Sequence, residues 1–364
     1  MFDRRMFNPT RFACARKRNG LSKSQIASLI DVDLKSVSAY ESGKTVPRED
    51  VFARIITKTG FPADFFSGDD LEEPNPDAVS FRSMKKMTAR QRDMALSQGA
   101  IASHLCAFIE EKFDLPKANI PDLSHEPTPE SASETLRQYW GIGNLPINNL
   151  VHLLESKGVR VFSLAVDARE VDAFSTWKGE TPMVFLNTYK TAEHSRMDAA
   201  HELAHLTLHR HALRHGKDVE YEAKSFASAF LMPKASVIAQ GMRSPSYEDL
   251  VKLKKIWKVA LSALNYRLYT VGMTTEWHYR TMCIEIAKRD RTKEPNEIAR
   301  ETSQILSKVF SALHDEHISR SDVARFLSIP RSEMEQLMFG LALTSIEGGG
   351  KRTTEQPSAN LKLI

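Results

Sequence analysis

Five histidines fall within 15 residues: His201, His205, His209, His211 and His215. Two of them frame a glutamate in Ala199-Ala200-His201-Glu202-Leu203-Ala204-His205-Leu206. His201 and His205 are four apart, so on a helix both imidazoles leave one face. That spacing suits two ligands of a tetrahedral zinc ion. Glu202 lies between them, placed to reach a water at the metal rather than the metal itself. Its chemistry would be that of a general base, taking a proton from the water and later passing it to a leaving amine. An HExxH pattern is short and recurs by chance. Here Leu203, Leu206 and Leu208 supply the apolar context of a helix buried in an enzyme core.

A third protein ligand is needed, and the residues offer three answers. His211 has a suitable spacing, but motifs of that kind place a glycine where this chain has Leu208, so that the chain can leave the helix. His209 is four residues after His205 and lies another turn along. Three ligands over two turns of one straight helix would not converge on one ion. The third answer is a carboxylate from the next helix, where Glu220-Tyr221-Glu222-Ala223-Lys224 offers Glu220 and Glu222 ahead of apolar Phe226, Phe230 and Leu231.

The elements that must hold these groups are mostly helical. Strand patterns cluster at residues 159–164, 171–177 and 182–187, with a turn at Lys178-Gly179-Glu180. A small antiparallel sheet is expected, followed by a long helix beginning near Ala192. The fold class is therefore mainly α with a minor sheet (α+β).

A second pattern lies at the N-terminus. Helical stretches of about ten residues are broken by Gly20, by residues 31–33, by Gly43 and by Gly60-Phe61-Pro62. Ser22 with Gln25 reads as a capping box, and Asp33 as the N-cap of the helix that ends at Gly43. Residues 1–68 hold 12 Lys and Arg against 7 Asp and Glu, a surplus of 5, while the whole chain nets +4. The positive charge is thus concentrated where a nucleic-acid partner would bind.

Leu21-Ser22-Lys23-Ser24-Gln25-Ile26-Ala27, Val37-Ser38-Ala39-Tyr40-Glu41-Ser42-Gly43-Lys44 and Pro47 resemble the Cro/repressor-type (XRE) helix-turn-helix over about residues 10–66. The resemblance implies a five-helix domain that binds a double-stranded DNA operator, usually as a homodimer. It places Lys23, Lys35, Ser36 and Ser38 toward DNA, and Ile26, Ala27, Val37 and Tyr40 inside. Ala39 stands where the family often has a longer polar residue, and Asp31 and Asp33 put negative charge near the DNA backbone. The competing reading of these helices is a protein-interaction module.

Val184-Phe185-Leu186-Asn187, Ala192 with Arg196, the HExxH string, and Glu220-Tyr221-Glu222-Ala223 with Phe226-Ala227 and Leu231-Met232-Pro233 resemble the ImmA/IrrE zinc endopeptidases. Phe81-Arg82-Ser83, Trp140-Gly141 and Asp172-Ala173-Phe174-Ser175 fit the same pattern, so the resemblance covers roughly residues 80–290. It implies a zincin-like domain with His201, His205 and Glu220 as ligands, Glu202 as base, and Zn2+ (or Mn2+) as cofactor. Glu222, Lys224 and His209 would lie around the ligands. Lys224 replaces an asparagine usual in the family, and would pair with Glu220 or compete with the metal. The implied substrate is a helix-turn-helix repressor in a stress, prophage or defence response, or this chain itself near residues 69–79. The alternative is a transcription factor whose peptidase-like domain senses a ligand or metal without hydrolysis.

Composition bounds the rest. The chain has 364 residues, 41% hydrophobic and 26% charged, the profile of a soluble protein of two or three domains. It has no run of 18 apolar residues and no apolar stretch behind Arg4 and Arg5, so neither a membrane span nor a secretory signal is expected. Cys14, Cys106 and Cys283 are far apart, which points to a reducing cytoplasm and buried thiols, although either of the last two could cap the zinc. The expected organisation is a DNA-binding domain at 1–68, an acidic linker at 69–79 and a peptidase domain at 80–290. A helical domain at 291–343 and a disordered tail at 344–364 follow. In the C-terminal third, residues 250–268 read as one amphipathic stretch with a basic face of Lys252, Lys254, Lys255 and Lys258. Residues 318–330 look like another helix-turn-helix, read as a dimerisation or lid element because basic charge is lacking there.

Overall fold

The computed structural model describes residues 6–74, 88–164, 173–210, 216–289 and 294–342, and the backbone of 80–81. The remaining positions include His211, His215, Arg82, Ser83, Asp172, part of the expected linker and the expected tail.

The N-terminal unit contains α1 (Pro9–Arg18), α2 (Lys23–Leu29), α3 (Leu34–Glu41) and α4 (Glu49–Thr59), then a 3₁₀ turn at Ala63–Ser67 in fifth place. Local chemistry sets the ends. Asn8 caps α1, Ser22 and Gln25 form the capping box of α2, and the Asp33 carboxylate accepts from Ser36 N. Gly60 closes α4 at φ 76°, a left-handed value that glycine takes without strain. The interior is aromatic: Phe12, Phe61, Phe65 and Phe66 are all almost fully buried. Ile26, Ala27, Val37 and Tyr40 point inward.

Strand β1 (Ser80–Phe81) and helix α5 (Ala89–Lys112) follow. Helix α5 is buried around most of its circumference from Ala95 to Ile109. It has apolar groups on all sides because it lies between the N-terminal unit and the sheet. Cys14 of α1 reaches Ser97 O, and Gln98 Nε2 donates to Ser163 O at 3.1 Å. Gly99 is required here, since a Cβ would come within 2.8 Å of the Pro74 ring.

The next elements are α6 (Pro129–Tyr139), α7 (Leu150–Ser156), β2 (Arg160–Ser163), β3 (Ala173–Lys178), β4 (Thr181–Leu186), α8 (Ala192–Leu208), α9 (Lys217–Leu231) and α10 (Lys234–Ile238). The sheet order is β1-β3-β4-β2. The sheet is mixed, not antiparallel throughout as the sequence suggested. β1–β3 and β3–β4 are antiparallel, but β2–β4 is parallel. The cause is topological: β3 lies on the far side of β4 from β2 and runs opposite to both, so two reversals of direction leave β2 and β4 parallel. Phe174 and Phe185 are opposite one another across β3–β4, with ring centroids 4.3 Å apart.

Among the described residues there follow α11 (Tyr247–Trp257), α12 (Leu261–Thr270), α13 (Glu276–Arg289), α14 (Gln304–Asp315), α15 (Arg320–Phe326) and α16 (Arg331–Met338). The expected single stretch at 250–268 is two helices, because Lys258 adopts φ 56° and turns the chain. Its basic face is also incomplete. Lys254 is fully buried, with Nζ 2.9 Å from Glu193 Oε1 and 3.1 Å from Glu294 Oε2. Among the described residues no helix is long and apolar enough to cross a membrane.

Two sets of buried contacts anchor α8 from outside. Glu193 in its first turn holds Lys254, and Arg196 is buried against Glu301, Ile147 O and Trp257 O. Burial lowers the Arg196 pKa, and Glu301 opposes that shift.

Candidate metal centre and nucleic-acid interface

The deep half of α8 carries His201, Glu202 and His205, exposed by 2%, 0% and 7%. Burial of three polar side chains on one helix is costly unless each is partnered. Partners come from α9 and β3. Glu220, in the first turn of α9, brings Oε2 to 3.3 Å from His201 Nε2 and Oε1 to 3.7 Å from His205 Nε2. The two imidazole Nε2 atoms are 3.1 Å apart. One ligand atom from each of His201, His205 and Glu220 lies within 4.8 Å of the others. A carboxylate in a first turn is favoured by the positive end of the helix, which suits Glu220 to its place. Two imidazoles and one carboxylate converging on a point form a donor set appropriate to zinc, with a position left over for water or substrate.

One oxygen of the Glu202 carboxylate is bonded to the sheet: Oε2 accepts from Ser175 Oγ at 2.8 Å. The sequence reading gave Ser175 no role. The available signal was its place at the end of the Asp172-Ala173-Phe174-Ser175 string that carries part of the family resemblance.

His209 does not join the cluster. Its Nδ1 is 3.0 Å from His205 Nδ1, and its Nε2 is 3.0 Å from Glu222 Oε2. Glu222 therefore reaches the centre through two imidazoles. Lys224 is exposed, and among the described residues no ion pair joins it to Glu220. The cluster includes neither Cys106 nor Cys283. Cys106 is buried, and burial pushes its thiol up to about 12. Cys283 accepts from Asn265 Nδ2 at 3.4 Å.

Residues 154–269 match the family model described as the IrrE N-terminal-like domain. This stretch runs from α7 to α12 and contains His201, Glu202, His205 and Glu220. Residues 10–64 match a helix-turn-helix domain model. The chain therefore fuses a helix-turn-helix domain to an IrrE-like, metallopeptidase-like domain. No curated protein matches the chain.

In the helix-turn-helix domain, Lys35 is exposed near the start of α3, and Ser36 and Ser38 are half-buried along it. Lys23 opens α2, half exposed, with Nζ 3.0 Å from Glu41 Oε2. Glu41 Oε1 is 2.5 Å from Arg16 Nε, so one carboxylate on α3 ties α1 and α2 together. The acidic residues after this domain pack against it. Asp70 Oδ1 accepts from Thr10 Oγ1 at 2.6 Å and from Asn8 Nδ2 at 2.9 Å, and Arg11 Nε donates to Asp69 O at 2.6 Å.

Proposed function

We propose that this chain is a DNA-binding transcriptional regulator whose IrrE-like domain is a zinc-dependent endopeptidase. Its substrate would be a repressor-type protein, or the chain itself, in a stress, prophage or defence response. The observation that carries the reading is the convergence of His201, His205 and Glu220 beside the buried carboxylate of Glu202.

His201, His205 and Glu220 would hold the metal, zinc or manganese. When bound, the ion supplies Lewis-acid polarisation of a carbonyl and acidifies water. Glu202 takes the proton of the attacking water at one carboxylate oxygen and returns it to the leaving amine nitrogen. Ser175 holds the other oxygen, so the carboxylate keeps one orientation through both transfers. Burial of His201, Glu202 and His205 limits bulk water on that side of the site and strengthens their electrostatic contacts. On the DNA side, α3 would enter the major groove with Lys35, Ser36 and Ser38, and Lys23 would approach the backbone. A dimer in the cytoplasm, on an operator with two half-sites, is the expected working form. We assign 1–68 to the DNA-binding domain, 80–290 to the peptidase domain and 291–343 to a helical domain packed on it.

The test is mass spectrometry of intact proteins. Zinc-loaded wild type and its Glu202→Gln variant are each incubated alone and with purified helix-turn-helix repressors. Fragments from wild type alone support the peptidase. The same intact masses in both overturn it in favour of a non-hydrolytic sensor.

A further inference from the structure

The DNA-binding domain shares a groove of about 580 Å³ with the acidic segment that follows it. Its walls include Thr10, Lys17, Lys23, Ser38, Leu71 and Glu73. Lys23 belongs to α2 and Ser38 to α3, the two helices that a helix-turn-helix brings to the duplex. Leu71 and Glu73 come from the acidic segment. The groove is therefore where the two parts of the chain compete for the same cations.

The charges are unevenly matched. Arg16, Lys17 and Lys23 supply three positive groups, and Glu41 and Glu73 two negative ones. Glu41 is committed to Arg16 and Lys23 at 2.5 and 3.0 Å. Glu73 is committed to Lys17, with its two oxygens 2.9 and 3.1 Å from Nζ. The segment is held in register on both sides of Glu73. Asp69 and Asp70 are bonded to Arg11, Thr10 and Asn8, and Pro74 is seated on Gly99 of α5. Glu73 is thus delivered to Lys17 by a docked chain.

We propose that this groove is a seat for a DNA backbone phosphate, and that Glu73 is its built-in competitor. The inference rests on the DNA-binding reading above. A phosphate entering the groove meets Lys17, Lys23 and the hydroxyls of Thr10 and Ser38. It displaces a carboxylate from a lysine that is itself 26% exposed. Such part-exposed pairs are weak, so a phosphate can win the lysine. Release of residues 69–74, whether by cleavage nearby or by movement of the peptidase domain, would free Lys17 and tighten DNA binding. The peptidase half would then report to the DNA-binding half through one carboxylate.

The test is fluorescence anisotropy of the full chain on a mixed-sequence DNA duplex at several salt concentrations. Glu73→Gln removes the charge and keeps the shape. It is expected to bind several-fold tighter, with a salt slope steeper by about 0.9 for one more neutralised phosphate. Glu73→Asp, which keeps the charge, should bind as wild type does. In a Lys17→Gln background, Glu73→Gln should leave the slope unchanged. Unchanged or weaker binding by Glu73→Gln overturns the proposal. If Lys35→Gln weakens binding while Glu73→Gln does nothing, the DNA-binding reading survives and this inference fails. If no form of the chain binds the duplex, both fail.

Discussion

The hydroxyl of Ser175 lies 2.8 Å from Oε2 of Glu202, although one sits on β3 and the other on α8. The sheet thus fixes the direction of the carboxylate that the helix supplies. Hydrogen bonds to charged groups contribute about 1.5–3 kcal/mol. Ser175→Ala should therefore slow peptide hydrolysis by about 10- to 100-fold, since 1.4 kcal/mol is about tenfold. Metal stoichiometry should not change, because the cluster is made of His201, His205 and Glu220 and does not include Ser175. Single-turnover rates with and without the hydroxyl, at saturating zinc, measure this. An unchanged rate would remove Ser175 from the mechanism.

His209 links His205 to Glu222 in a way that settles ring tautomers. If His205 offers Nε2 to a metal, its Nδ1 carries the proton and donates to His209 Nδ1. His209 Nε2–H then donates to Glu222, and both imidazoles stay neutral. His209→Ala should lower zinc affinity by about 10- to 100-fold. Glu222→Gln keeps an acceptor and should cost less. Competition against a chelator of known affinity gives both values. Equal affinity in all three proteins would show that the pair is incidental.

Helix α8 depends on a charge buried outside the site. Lys254 and Glu193 are both fully buried, and their contact fixes the first turn of the helix that carries the histidines. Removing one partner of such a pair costs about 3–5 kcal/mol. Lys254→Met should lower the urea midpoint accordingly. Lys252→Met, at a site 75% exposed and 3.7 Å from Asp249, should shift it little. Similar shifts for the two would contradict the assigned anchor.

Glu155 on α7 accepts from Ser303 Oγ and from the N–H groups of Gln304 and Ile305, so it caps α14. Burial raises its carboxyl pKa, and these hydrogen bonds offset only part of the rise. The folded chain then holds the proton more firmly than the unfolded chain does. Relative to Glu155→Gln, wild type should lose stability as pH rises from the unfolded carboxyl value, about 4.3, through the folded one. Outside that window the difference should be flat. Urea midpoints of the two proteins across the acid range check the sign. A difference that grows with pH would reverse it.

What was legible in the sequence was local. Ser22 with Gln25, Asp33 and Gly43 announce α2 and α3 because capping is a matter of three or four residues. His201 and His205 announce a shared face because helical spacing is fixed. Glu220 was reachable only through resemblance, since Glu222 fits the spacing equally well. What was not legible depends on distant partners. Ser175 meets Glu202 only after the sheet docks on α8. Lys254 reads as one lysine of a solvated face until Glu193 and Glu294 surround it. The parallel β2–β4 pair follows from where β3 crosses, which no periodicity records. Glu73 reads as linker charge until residues 69–74 lie against α1.

The most direct measurement is a zinc titration of wild type and four variants, by calorimetry with metal content read independently. One ion per chain is expected for wild type and for Glu202→Gln, which removes the base and leaves the ligands. His201→Ala, His205→Ala and Glu220→Ala should each lose tight binding. Full, tight binding by Glu220→Ala, or its loss in Glu202→Gln, would contradict a centre built from His201, His205 and Glu220 with Glu202 beside it.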